Sequence, residues 1–313
     1  MKSYRKILIT GGKGFIGTNL FLHLKNTFSI KIMDNLSSDC SYVDEDFTFF
    51  EGDIRDDRDC LEATKDVNAV IHLAAKGSVV DSVKNPIENY ENNVLGTFNI
   101  LNASVRNGVK KFIFASTGGA LMGDTPPPVS ESSLPSPISP YGASKMCGEA
   151  YCNAFASNFS EGVTILRFAN IYGSYSLHKK GLINSVMKNI IKNNPIVVYG
   201  DGSATRDFLY VEDLCRGIES ALLYKHSGVD IFHLSSGVER TILECVDIIK
   251  EVGGKPNHKI IFEPKRDGEI EHNFSINTKA KEVLRFSPCI GFEEGIRLTH
   301  SWVNDNFREY NGR

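Results

Sequence analysis

The sequence predicts an alternating α/β protein, a doubly wound parallel sheet followed by a smaller α/β lobe. Three observations carry that expectation. Short apolar runs alternate with amphipathic helical runs as far as residue 170, the pattern of a parallel sheet covered by helices on both faces. A glycine cluster separates the first apolar run from the first helical one. Beyond Tyr172 the alternation stops, and the later segments are shorter and less regular. Residues 1–170 are therefore expected to form one unit and residues 171–313 a second, with a stretch such as 207–235 packing back on the first.

The first strand reads Lys6-Ile7-Leu8-Ile9-Thr10, short and apolar as a buried parallel strand should be. Gly11-Gly12-Lys13-Gly14-Phe15-Ile16-Gly17 follows at once, and Phe15, Ile16, Leu20 and Leu24 recur at helical spacing. The next apolar run, Ile30-Lys31-Ile32-Met33, ends in Asp34. Strand, glycine turn, helix, strand and acid come in the order that a Rossmann-type dinucleotide site requires. A pyrophosphate must approach the backbone closely, which a Cβ would block, and the free N–H groups at Phe15, Ile16 and Gly17 can hold it. The glycines fit two spacings, one counted from Gly11 and one from Gly12, both through Gly14 and Gly17. A carboxylate at Asp34 can accept hydrogen bonds from ribose hydroxyls and would repel a 2′-phosphate, so NAD is expected rather than NADP.

A polar loop from Asn35 to Ser38 leads to a third strand, Phe47–Glu51, which ends in Gly52-Asp53-Ile54-Arg55-Asp56. The fourth, from Ala69, runs out into Leu73-Ala74-Ala75, and small residues at a strand's carboxyl end leave room for a ligand. Ile87, Tyr90, Val94, Leu95, Phe98 and Leu101 mark one long amphipathic helix from Pro86 to Gly108. Lys111–Ser116 is a fifth strand, and a proline-rich loop then ends at Tyr141-Gly142-Ala143-Ser144-Lys145, which opens a helix to about Phe155. Thr164–Asn170 reads as a sixth strand. After a loop come a helix from Leu182 to Asn193, a short strand at Ile196–Tyr199 and a turn at Gly200-Asp201-Gly202.

With 313 residues, 41% hydrophobic and 23% charged, the chain can bury a large core. A net charge of −3 with scattered Lys and Arg argues against nucleic-acid binding. No apolar run approaches the length of a membrane span. Met1 to Arg5 lead straight into a strand, so no signal peptide is expected, and the seven cysteines, odd in number and without a CxxC pair, fit reduced cytoplasmic thiols. The eight histidines are dispersed, and no metal site is expected.

Tyr141 and Lys145 lie four apart on a helix and project from one face. Free tyrosine titrates near ~10, too high for a base at neutral pH. A nearby ammonium and a positive nicotinamide ring are expected to lower that value, so the pair could take a proton from a sugar hydroxyl. Alone, the spacing is no more than a solvated helix start. Its place after a nucleotide-binding half, about two dozen residues beyond Ser116-Thr117, gives it weight.

At this point the chain resembles a known family. The segments Gly11–Gly17, Asp34–Ser37, Gly52–Asp56, His72–Ala75, Asn93–Thr97, Ser116–Gly119, Tyr141–Lys145, Arg167–Gly173 and Gly200–Phe208 match in order. The match covers almost the whole chain and is that of an extended short-chain dehydrogenase/reductase of the nucleotide-sugar epimerase/dehydratase group. It is nearest in pattern to UDP-hexose and UDP-N-acetylhexosamine 4-epimerases. The resemblance implies that Tyr141 is the base, Lys145 its partner, and Thr117, with Ser116 beside it, a contact of the sugar O4. It places Asn35, Asp53, Ile54, Leu73, Ala74, Ala75 and Asn93 along NAD. Asn170, Arg206 and Arg266 would hold the diphosphate, Tyr199 would pack on uracil, and Leu182, Ser78 and Asn273 would line the rest of the substrate site. In that mechanism the C4 hydride passes to NAD, the 4-keto sugar turns, and the hydride returns to its other face.

Two departures stand out. Met122 occupies the place of a usual tyrosine, and Lys265-Arg266-Asp267-Gly268-Glu269 is a loose match to the family's second arginine motif. Epimerisation of a UDP-hexuronate and 4-keto-sugar reduction are the alternatives within the fold. A 4,6-dehydratase needs an added acid and base, and Gly118 and Gly119 after Thr117 cannot transfer protons. A non-catalytic NAD sensor is the alternative outside enzymes. The resemblance further implies a homodimer joined through the helices at Pro86–Gly108 and Tyr141–Phe155.

Overall fold

The computed structural model describes residues 6–37, 47–265 and 270–310. In chain order come β1 (Lys6–Thr10), α1 (Phe15–Leu24), β2 (Ser29–Asp34), β3 (Thr48–Glu51), α2 (Asp57–Ala63), β4 (Ala69–His72), α3 (Val79–Lys84), α4 (Pro86–Tyr90) and α5 (Gly96–Arg106). Then follow β5 (Lys111–Thr117), α6 (Gly119–Met122), α7 (Pro140–Phe155), β6 (Val163–Phe168), β7 (Asn170–Tyr172), α8 (Leu182–Ile191), β8 (Ile196–Tyr199) and β9 (Thr205–Tyr210). The remainder is α9 (Val211–Leu223), β10 (Val229–Leu234), β11 (Glu239–Thr241), α10 (Ile242–Val252), β12 (Ile260–Glu263), β13 (His272–Asn273), α11 (Thr278–Leu284) and α12 (Phe292–Tyr310).

Alternation along the strands sorts side chains onto two faces. Ile7 and Ile9 of β1 join Ile113 and Leu166 in a core with Leu20 of α1 and Leu214 of α9. Leu8 points the other way, into a core with Phe112, Phe114, Ile100 of α5 and Cys152 of α7. Seven parallel strands lie between these layers in the order β3-β2-β1-β4-β5-β6-β10. The chain builds outward from β1 through β2 to β3, then returns and builds the other way from β4. That reversal opens a crevice at the carboxyl ends of β1 and β4, where ligands of such sheets bind. A smaller sheet, β11-β9-β13 with β7 on β9, and the pair β12-β8 surround a third core that includes Tyr172, Val198, Tyr210 and Ile296.

Two of the differences from the sequence expectation lie near the crevice. The sixth strand ends at Phe168 rather than Asn170. Ala169 N–H makes a last bond to Leu234 O at 3.0 Å, and Asn170 already belongs to β7, its amide donating to Asp207 O at 3.1 Å. The chain thus steps between sheets at one residue. The long helix from Pro86 is interrupted by a π turn at Glu91–Leu95. There the Thr97 hydroxyl donates to Asn93 O at 2.6 Å, a side chain competing for a helical carbonyl.

Candidate active site

Gly11 leaves β1 with φ +69°, and its N–H bonds Met33 O at 2.8 Å. A Cβ at Gly11 would lie 2.8 Å from Ala74 N, and one at Gly17 would lie 2.3 Å from Gly11 O. The turn, the end of β4 and the start of α1 are therefore in contact without side chains between them. α1 begins at Gly14 with no side-chain cap, which leaves the first-turn N–H groups at Phe15, Ile16 and Gly17 for an anion. The Phe15 ring itself is buried in the core. A pyrophosphate fits this cradle, and Asp34 closes it. Its buried carboxylate accepts Lys13 N–H at 3.0 Å and Leu36 N–H at 2.9 Å, and each oxygen keeps a lone pair for a ribose hydroxyl.

Beside β2, Asn35 donates to Asp53 at 2.9 Å, and the Arg55 guanidinium holds the Asp53 carboxyl down at about 2. Ile54 is buried against Gly96. On the other side of β1, His72 bridges Thr10 Oγ1 at 2.7 Å and Thr97 Oγ1 at 3.1 Å. Burial pushes His72 down to about 3, so it is a neutral spacer. It fixes the end of β4, from which Leu73 and Ala74 bond back to Thr10 and Ala75 is exposed. Asn93 ties Lys76 to α7: it accepts Lys76 N–H at 2.8 Å and donates to Lys76 O and Ser144 Oγ, both at 3.1 Å.

Ser139 caps α7 by accepting Gly142 N–H at 3.1 Å, and Pro140 opens the helix. Ser82 accepts Tyr141 N–H at 3.1 Å. The Thr117 side chain stands where it favours the ionised form of the Tyr141 phenol. Lys145 is buried; its ammonium donates to Ala115 O at 2.8 Å and lies 5.9 Å from the Tyr141 ring centre. The expected lowering of the phenol counted the nicotinamide charge together with the ammonium; the protein's own groups act in the other direction. Burial pushes Tyr141 up to about 12, opposed only by Thr117. Burial lowers Lys145 to about 8. Tyr141 keeps some accessible surface, but protein crowds it, and desolvation is the larger effect.

Ser116 requires a correction. It shares a face with Phe112 and Phe114, so it points beneath α7 rather than towards Thr117's side of the crevice. Its hydroxyl donates to Glu149 at 2.6 Å, and Glu149 forms a buried ion pair with Arg167 at 2.8 Å. The sequence reading assigned neither Glu149 nor Arg167 a role. An arginine inside a buried apolar strand was the available signal, because such a charge needs a partner.

The smaller sheet brings other expected residues together. Arg206 on β9 is registered between Arg240 of β11 and Asn273 of β13. Arg206 donates to Thr205 O and Glu271 O. Asp207 accepts from Ser236 and Gly237, and Asp213 from Arg216 and the N–H groups of Cys289 and Ile290, so both carboxylates have their own donors. The Asn273 amide packs on Gly119, where a Cβ would lie 1.9 Å from its nitrogen. Ser78 caps α3 by accepting Asp81 N–H at 3.1 Å. Leu182 opens α8 and Tyr199 ends β8, both half-buried. Met122 packs with Leu121 and Val129. Arg266 lies outside the described residues. Among the described residues no cluster of His, Cys, Asp or Glu could hold a metal ion, and no helix is long and apolar enough to cross a membrane.

Known proteins share both the sequence and this geometry. The family model for the NAD dependent epimerase/dehydratase family matches residues 7–234. A Methanocaldococcus jannaschii protein, provisionally described as a UDP-glucose 4-epimerase, is 37% identical over 309 residues, covering 96% of this chain and 99% of its own. The UDP-glucose 4-epimerase of Thermotoga maritima, solved with UDP-glucose, superposes with a TM-score of 0.91 at 32% identity, covering 96% of this chain and 99% of its own. The UDP-N-acetylglucosamine 4-epimerase of Methanobrevibacter ruminantium M1, solved with UDP-N-acetylmuramic acid, gives 0.90 at 29% identity, covering 98% and 100%. The glycine turn, the acid at the end of β2 and this agreement over nearly the full length converge: the chain belongs to the NAD-dependent epimerase/dehydratase family.

Proposed function

We propose that the protein is an NAD-dependent 4-epimerase of UDP-sugars. The carrying observation is the constellation of Thr117, Tyr141 and Lys145 at the carboxyl edge of the sheet, beside the uncapped glycine turn. Held at the glycine turn, NAD would supply the hydride acceptor and donor for C4 of the sugar, and a positive charge near the phenol. Thr117 holds the sugar O4 and favours the Tyr141 phenolate as a hydroxyl donor. Tyr141 takes the O4 proton and later gives it back. Lys145, held by Ala115 O, supplies the fixed positive charge. Gly11, Gly14, Gly17, Phe15 and Ile16 hold the pyrophosphate, and Asp34 the ribose. Arg206 and Asn170 face the diphosphate from the smaller sheet, with Tyr199 at the base; Arg206 suits phosphate oxygens because its fork is planar.

The alternatives separate on particular residues. A dehydratase needs an acid and base after Thr117, and Gly119 cannot be enlarged without displacing Asn273. A hexuronate site needs only the same core and a carboxylate contact, so UDP-glucuronate belongs in any substrate panel. We further propose a cytoplasmic homodimer. Val79, Val80, Val83, Ile87 and Tyr90 around α3 and α4, with Met146 of α7, form an exposed apolar surface suited to a second copy. The test is incubation of the NAD-loaded protein with UDP-Glc, UDP-Gal, UDP-GlcNAc, UDP-GalNAc and UDP-glucuronate, followed by chromatography. Interconversion of one 4-epimeric pair is expected. No product from any of them sinks the proposal.

A further inference from the structure

A buried ionic layer lies beneath Thr117, Tyr141 and Lys145, and the proposed reaction does not use it. Glu149 stands one helical turn after Lys145 on α7. Its carboxylate accepts Arg167 Nε at 3.0 Å, Arg167 Nη2 at 2.8 Å and the Ser116 hydroxyl at 2.6 Å. All three side chains are buried. Ser116 of β5 and Arg167 of β6 are registered neighbours, so they share the face that α7 covers. Removing two charges from water costs several kcal/mol per ion, and an apolar pair often serves stability as well. Fold stability alone therefore gives little reason for this pair. Register does. α7 is tied to consecutive residues of β5, Lys145 to Ala115 O and Glu149 to Ser116, and a slip of the helix breaks both ties.

We propose that Glu149, clamped by Arg167, is a positioning residue that fixes Thr117 against Tyr141 through Ser116 and the register of α7. The inference rests on the reading of Thr117, Tyr141 and Lys145 as the catalytic set. Glu149 also bears on charge. The groups facing Lys145 are Tyr141, Glu149 and Cys152 on its own helix and His72 on β4, with Arg167 on β6 reached through Glu149. Burial keeps Cys152 a thiol and His72 neutral. Glu149 is thus the anion that opposes loss of the Lys145 proton.

Ser116→Ala and Glu149→Gln test this in the NAD-loaded protein. Ser116→Ala is expected to lower kcat about five-fold with KM within about two-fold of wild type, because an interaction used after binding is lost. The alkaline limb of its pH profile should not move, since Glu149 keeps its charge. Glu149→Gln is expected to lower kcat at least about ten-fold and to move that limb to lower pH. A crystal structure of Ser116→Ala should show a longer Thr117–Tyr141 hydroxyl distance, a readout that needs no turnover. If the wild type epimerises nothing, the functional reading fails while that distance still judges the inference. Glu149→Gln leaves Arg167 buried without its anion and can fail to fold; Ser116→Ala, which keeps the pair, then decides. Wild-type kcat with an unchanged hydroxyl distance in Ser116→Ala overturns the proposal, as does folded Glu149→Gln with unchanged kcat and pH profile.

Discussion

Replacing Thr117 with valine removes one hydroxyl and keeps the shape of the side chain. Burial pushes the Tyr141 phenol up to about 12, and the Thr117 hydroxyl is the group that opposes the rise, as a donor to the phenolate would. A hydrogen bond to a charged group is worth about 1.5–3 kcal/mol. One pH unit, or one decade of rate, corresponds to about 1.4 kcal/mol. Thr117→Val should therefore raise the phenol by about one to two pH units and lower kcat by about 10- to 100-fold. The folded state loses only one neutral hydrogen bond, about 0.5–1.5 kcal/mol, against a total near ~5–15 kcal/mol. The variant should stay folded with its NAD content unchanged. The assay is epimer formation at saturating UDP-sugar, with bound NAD measured on the same sample. A kcat within about two-fold of wild type would refute the role given to Thr117. A loss of bound NAD equal to the loss of rate would move the effect from chemistry to binding.

Three shorter predictions stand beside it. Tyr141→Phe should fold and bind NAD yet lose most turnover, and full activity in that variant rules out the mechanism. NADP should bind at least about ten-fold more weakly than NAD, roughly 1.4 kcal/mol, because a 2′-phosphate meets the Asp34 carboxylate; equal dissociation constants by calorimetry contradict this. Burial lowers Lys145 from its ordinary 10.5 to about 8, so its ammonium is present below that pH and lost above it. Turnover should accordingly fall as pH rises through about 8. A rate that stays flat to pH 10 or so removes Lys145 as the source of that charge.

The fold was legible wherever its cause was local. Five β-rich runs from Lys6 to Thr117 became strands of one parallel sheet because apolar runs, glycine and helix starts are neighbours in sequence. The break between β6 and β7 was not legible. It depends on Leu234 and Asp207, both far along the chain, drawing Ala169 and Asn170 in different directions. The π turn is similar: periodicity through Glu91–Leu95 still reads as helix, and only the contacts of Asn93 with Lys76 and Ser144 distinguish it.

The site divides in the same way. The glycine turn and the spacing of Tyr141 and Lys145 are short-range geometry, and the pattern carried them. Ser116 was misjudged because adjacency to Thr117 in sequence is opposition across a strand, and the period of two sent its hydroxyl to Glu149. For Tyr141 the charge partner is visible in sequence and the desolvation is not. The protein by itself makes the phenol a weaker acid, and Lys145 is committed to Ala115 O rather than to the phenol. In the proposed reaction the base would therefore draw on Thr117 and on the bound cofactor's charge. On the reading proposed above, the placement of Thr117, set from below by a buried ion pair, would matter as much to the reaction as the residue that takes the proton.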